Sequence, residues 1–255
     1  MIRSFLAVVA VATLAAAQPA WASAASLFHD GRFAEVAAAG QAEGTAASLI
    51  LAGRATLIVA SFQTTDKAVA KTQVDAADRD FDAALAREPN NIDAALMKAQ
   101  AVGYRGKLSK SPGLAKETRT RMEAVVQRDP GNALAWASLA GWHAGAISTL
   151  GKFLAGTLLG ASQKVAIADF ETALAKDPKS PAHPAFYGLT LLDLSTDNAP
   201  RATQLLETVQ RLPARDGYEA LLKRQTVDVL PLLRSGDVRG AQILARRLLP
   251  FGKLA

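Results

Sequence analysis

At 255 residues, half of them hydrophobic, the chain has material for one or two ordinary domains with a core. It is heavy in Ala and Leu, poor in aromatics and short of Val-, Ile- and Thr-rich runs, so summed propensity favours helix almost throughout. The absence of cysteine excludes disulfides, a thiolate nucleophile and cysteine metal ligands, while the formal charge of +6 is spread among Asp and Glu instead of gathered into a stripe, which speaks against nucleic acid.

Residues 1–22 carry Met1-Ile2-Arg3, the uncharged run Ser4 to Ala17, Pro19 and the small-residue site Ala20-Trp21-Ala22. This is the three-part layout of a secretory signal peptide, with cleavage expected after Ala22. The run is short against the roughly 20 residues of a membrane span, and nothing hydrophobic continues it. The expectation is a periplasmic protein, with residues 23–255 as one domain.

Gly31-Arg32-Phe33-Ala34-Glu35-Val36 reads as the opening of a second helix and Ala46 to Phe62 as the first helix of the next pair. Beyond them a spacing repeats: Ala77, Phe81, Ala84 and Pro89; Thr118, Met122, Val125 and Pro130; Ala166, Phe170, Ala173 and Pro178. Residues four and then three apart share one helical stripe, so small residues admit a neighbouring helix and the large one fills the gap. The proline ends the helix, lacking the donor its continuation needs. Asn91 and Asn132 are placed to cap the helix that follows, and Ser180 precedes Pro181 as a cap with proline at the first helical position.

This pattern resembles the second helix of a tetratricopeptide-repeat (TPR) unit. Trp136, Leu139, Ala140 and His143 occupy the slots where the first helix of that family has Trp, Leu, Gly and Tyr, and Tyr187-Gly188 with Leu191 fills part of the next copy. The resemblance implies an all-α fold, a right-handed α-α superhelix of about five helix pairs from about residue 27 to 250. Prolines 89, 130, 178 and 213 are 41, 48 and 35 residues apart, so the stack is irregular. Arg215 to Arg234, with a kink at Pro231, and Gly236 to Leu249 form a last hairpin.

The longest spacing locates an apolar insert at residues 146–163. As a helix its 15-residue core reaches only about 22 Å, short of a hydrocarbon layer of about 30 Å, and Lys152 sits inside it. It either extends the first helix and packs over the stack or lines an apolar cavity. Gly151, Gly156 and Gly160 each cost a helix about 1 kcal/mol against Ala and suit close approach by a ligand or a backbone. Residues 134–188 are also similar to the TPR domain of the regulator-of-microtubule-dynamics family, through Leu139-Ala140-Gly141-Trp142-His143, the insert ending Leu158-Leu159-Gly160-Ala161-Ser162, and Ala166, Phe170, Ala173 and Leu174. That family's domain is associated with phospholipid binding, so the likeness implies a hydrophobic cavity.

In a TPR stack the concave wall would carry Asp93, Leu96, Gln100, Gly103 and Tyr104 from one unit and Leu134, Ala137, Gly141, Ala144 and Gly145 from the next. With Trp142 and with Phe153 and Gly156 of the insert, these are the candidate partner-binding residues. None of the Lys, Arg and Asn used by carboxylate clamps of the fold is among them. His29, His143 and His183 show no zinc-ligand spacing, and no nucleophile elbow, phosphate loop or dinucleotide fingerprint occurs. Asp75, Asp78 and Asp82 share a helix face with Lys71 and Arg79 in reach, an ordinary solvated face. The chain therefore reads as a non-enzyme without metal or cofactor. The leading expectation is a periplasmic scaffold for a protein partner; the alternative is a carrier of a lipid or other apolar molecule, with a fold-level similarity to TPR partners of periplasmic solute-binding proteins in TRAP-type transport.

Overall fold

The computed structural model describes residues 22–254, and the signal peptide expected at 1–22 lies outside them apart from Ala22. Every regular element among the described residues is helical. Besides a π-helical turn at Val59–Gln63 that continues α3 and a 3-10 turn at Thr196–Asn198, the α-helices in chain order are α1 (Ala24–His29), α2 (Phe33–Glu43), α3 (Ala46–Ile58), α4 (Lys67–Arg87), α5 (Ile92–Ser109), α6 (Pro112–Arg128) and α7 (Ala133–Leu150). There follow α8 (Lys152–Leu159), α9 (Gln163–Lys176), α10 (Ala182–Leu194), α11 (Ala199–Arg211), α12 (Gly217–Val227), α13 (Val229–Arg234) and α14 (Val238–Leu248). Neighbours pack in pairs, α3 with α4, α5 with α6, α7 with α9 and α10 with α11, and α8 is spliced into the third of these.

The repeated spacing does what its chemistry requires. Ala77, Phe81 and Ala84, Thr118, Met122 and Val125, and Ala166, Phe170 and Ala173 are all buried, and each fully buried Phe or Met contributes about 1.5–3 kcal/mol. Phe81 lies so close to α3 that a Cβ on Gly53 would stand 2.4 Å from its ring, which is why that position is glycine. Helices α4, α6 and α9 end at Glu88, Asp129 and Asp177, whose φ of −131° to −136° lies outside the helical region that a following proline disfavours. Asn91 and Asn132 accept from the N–H groups of Ala94 and Ala135 at 2.9 and 3.0 Å, as helix caps.

Three local expectations need correction. Ser180 is not a plain cap: its hydroxyl accepts from the Ala182 N–H and donates to Glu219 Oε1 at 2.6 Å, joining α10 to α12. The helix expected from Arg215 to Arg234 is two, broken at Asp228 just before Pro231, which has no N–H to continue the ladder. Asp78 is buried, and the cations that meet the acidic face of α4 come from α5 instead of Lys71 and Arg79. Lys98 Nζ lies 3.1 Å from Asp78, and Arg105 reaches Asp75 at 2.9 Å and Asp78 at 2.6 Å. Burial pushes the Asp78 carboxyl up, but the hydrogen bonds from Arg105 and Lys98 outweigh it and hold the pKa below the ordinary value.

Tertiary packing also brings the two ends of the helix series together. One core joins Phe28, Ile58 and Phe62 from the N-terminal helices to Leu192, Leu222 and Leu230 from the C-terminal ones. Residues Ala46–Gln63 are long and apolar enough to cross a membrane by composition, but 67% of that stretch is buried inside this assembly. Where α1 meets α12 the backbones nearly touch: a Cβ on Gly217 would lie 2.4 Å from Gly31 Cα and 2.5 Å from the Phe28 carbonyl oxygen. These are backbone atoms that cannot rotate away. Gly217→Ala is therefore expected to destabilise by roughly 1–3 kcal/mol, as overpacking does, read as a lower urea midpoint. An unchanged midpoint would show that this junction does not hold the ends together.

Candidate functional site

The wall expected to be concave and open is closed in part by the chain's own last residues, which seat on Tyr104. Leu96, Ala137 and Ala144 are buried, and Gln100, Tyr104, Leu134, Gly141 and Gly145 are half-buried. Phe251 stands edge-on to Tyr104 with ring centres 4.9 Å apart, and its N–H donates to the Ser61 carbonyl at 2.7 Å. Lys107 Nζ donates to the Pro250 carbonyl at 2.9 Å. Gln100 donates to the Ser138 hydroxyl at 2.7 Å, binding α5 to α7. Gly141 receives the ring of Phe186 from α10, 2.7 Å from where a Cβ would sit, so this position serves internal packing.

What remains beside the wall is a cavity of about 40 Å³, with Arg54, Ser61, Gln100, Tyr104 and Tyr218 as its polar lining and Met97 and Leu134 among its apolar neighbours. Of the residues expected in the groove, this brings together Gln100, Tyr104 and Leu134. Sites for drug-sized molecules measure about 300–1,000 Å³, so a lipid body does not fit here.

Trp142 faces away from this cavity. Its indole N–H donates to the Ala115 carbonyl of α6 at 2.9 Å, and Arg119 lies over the ring at 5.6 Å. Neighbouring His143 is buried, and its Nδ1 accepts from the Ser162 N–H at 3.2 Å. Burial first, and then the positive charge of Arg119, push the His143 pKa down to about 4. Arg119 also donates to the Leu159 and Gly160 carbonyls at 3.2 Å, neutralising the bare C-terminal end of α8. Arg119 and His143 thus fix where the insert leaves and where the chain re-enters at α9.

Held this way, the insert neither plugs nor lines the groove. It is a separate helix, started by Gly151 at φ +79° and stopped by Gly160 at φ +66°, and both turns need the left-handed backbone that glycine supplies. Helix α8 buries Ala155 and Leu159 and turns Phe153, Leu154 and Leu158 outward, Phe153 being 81% exposed. Gly156 lies on that outer side, away from any groove. Among the described residues, five of the eight exposed large hydrophobic side chains lie between residues 150 and 165, so they form a patch and not the scatter of an ordinary surface. Against it lies a recess of about 530 Å³ whose lining includes Lys152, Lys164 and Ile167. Between Asp129 and Asp169 the only Asp, Glu, Lys or Arg residues are those two lysines.

Among the described residues no group of three or more His, Asp or Glu is arranged to hold a metal ion. Compared with known proteins, the chain matches no protein-family model, and no characterised protein matches its sequence.

Sequence reasoning did not single out Arg54, Tyr218 or Phe251, because each meets the wall from another part of the chain, nor Lys107, which lies on α5 itself but takes its partner, the Pro250 carbonyl, from the far end. It also missed Asp169, buried on α9 with Oδ2 unpartnered among the described residues. Burial first, and then the negative charge of Glu123, push its pKa up to about 6. A carboxyl raised in the folded state costs nothing below its unfolded pKa near 4 and its full penalty above about 6. His143, lowered in the folded state, acts oppositely: its contribution is present above its unfolded pKa near 6.5 and is lost as pH falls toward 4. Asp169→Asn is expected to raise stability at pH 7.5 by on the order of 1–2 kcal/mol and to leave it unchanged at pH 3.5, measured by thermal unfolding at both values.

Proposed function

We propose that the chain is a TPR-like adaptor, exported by the segment at residues 1–22 to work in the periplasm, and that it holds a protein partner through the cap formed by α8. The observation that carries this reading is Phe153, 81% exposed at the centre of an apolar patch on a helix whose position is fixed from below. The helix pairs, their small-large-small stripes and their terminating prolines support units of the TPR kind, stacked as a superhelix.

The occupant suited to this cap is an apolar cleft with an acidic rim. Phe153, Leu154 and Leu158 supply the anchors that hot spots require, and Lys152 and Lys164 supply charge with no carboxylate beside them in sequence. A membrane surface suits the cap less well. Two lysines gain about 2 kcal/mol at an anionic bilayer, whereas electrostatic lipid recognition uses clusters of about four to eight cations. Carriage of a lipid inside the protein is disfavoured by the partly closed wall and its cavity of about 40 Å³.

The test is native mass spectrometry of the protein isolated gently from its own periplasm, beside the variants Phe153→Asp and Lys152→Glu. A stoichiometric heteromeric complex that weakens with salt, is lost in both variants and leaves their thermal unfolding unchanged is the expected outcome. Binding to vesicles of anionic phospholipid that both variants abolish would replace the protein partner with a membrane, and a homodimer lost in the same variants would replace it with a second copy.

A further inference from the structure

One half-buried arginine has no ion-pair partner among the described residues. Arg54, on α3, is half-buried with its guanidinium carbon 4.9 Å from the centre of the Phe28 ring. Lys98 and Arg105, at similar depth, are both paired with carboxylates. Among the described residues Arg54 has no ion-pair partner and no hydrogen-bond acceptor, and it faces a cavity whose lining contains no Asp or Glu. The Phe28 ring face offsets part of the lost solvation, by about 0.5–2 kcal/mol, but the guanidinium N–H donors have no acceptor from the protein, and an anion in the cavity would supply one.

The rest of the lining is suited to supply that arrangement. The Tyr218 hydroxyl has no hydrogen-bond partner among the described residues, while Tyr104 lies against Ser61. Burial pushes the Tyr218 phenol up to about 12 against the pull of Arg54, and burial raises Tyr104 as well, so both remain protonated donors at neutral pH. Met97 and Leu134 add apolar wall.

We infer that this cavity is a binding site for the carboxylate of a small organic acid, with the Arg54 fork as its anchor, the Tyr218 hydroxyl as a second donor and Met97 and Leu134 against the carbon body. The planar guanidinium matches a carboxylate with two parallel hydrogen bonds. A phosphate dianion would bring more charge and more acceptor oxygens than one guanidinium and neutral donors can satisfy. The size sets a further limit: about 40 Å³ is little more than the roughly 30 Å³ share of one water. A carboxylate therefore enters only as the half-buried Tyr104 and Tyr218 side chains give way, and a longer body has to press on the Phe251 tail, which is seated on Tyr104 and Ser61 of the same wall. The site is separate from the α8 cap and does not depend on what the cap binds.

Calorimetric titration of the full chain with sodium acetate, butyrate, benzoate and inorganic phosphate, in a buffer free of carboxylates, decides the matter. At least one carboxylate is expected to bind, more tightly than phosphate, with Kd rising about tenfold or more in Arg54→Gln, the loss of a charge-assisted hydrogen bond, and less in Arg54→Lys. If Arg54→Gln does not fold, Tyr218→Phe decides, since it removes a single oxygen and leaves the Arg54–Phe28 stacking in place. A several-fold weakening there supports the site. No carboxylate binding by the wild type, tighter binding of phosphate, or unchanged affinity in the variants overturns it.

Discussion

The near-contact of two glycines, Gly31 before α2 and Gly217 at the start of α12, is the constraint on which the rest of the arrangement depends. A series of helix pairs can remain open, each unit touching only its neighbours. Here the backbones at the two ends approach closely enough that a Cβ on Gly217 would clash with Gly31 and Phe28, and the core is shared between the two ends. With α12 set against α1, Tyr218 faces Arg54 and Phe62 across the interior. The segment after α14 is delivered onto Ser61, Tyr104 and Lys107. The inner wall is closed in part by the chain itself because its ends meet.

That closure divides the molecule into surfaces of different kinds. Inside, apolar side chains interdigitate and the residual space is water-sized, with one cation exposed to it. Outside, α8 carries large apolar side chains into solvent at a cost that packing elsewhere has to offset. The helix stays in place because Arg119 satisfies its last carbonyls and His143, neutral through burial, accepts from the next segment. Such fixation is what a binding surface needs, since an anchor ordered in advance does not lose conformational freedom on association.

Much of the helical order was legible in the residues. The stripe of Ala77, Phe81 and Ala84 and its two relatives, the asparagine caps and the helix-ending prolines are local devices. Each acts within one or two turns, and the structure realises each as read. The insert was legible as an irregularity, but its glycines were read as sites of close approach, and the structure uses Gly151 and Gly160 for the positive φ of two turns. The wall residues were legible only as a list: Leu96, Ala137 and Ala144 are buried, but the seating of Phe251 on Tyr104 was not visible. A contact between residues about 150 positions apart in sequence leaves no periodicity to read.

The sequence by itself determined most of the helices and of their ends, the stripes on which they pair and the place where the spacing is interrupted, all of which follow from backbone and side-chain chemistry over a few residues. Tertiary structure decided that the ends meet and that the inner wall is closed in part from within. It also decided that Asp78 pairs with α5, that α8 points outward and that Arg54 faces a cavity without a carboxylate. These depend on which distant surfaces come together, and that is fixed by the packing of the whole core and by no single segment.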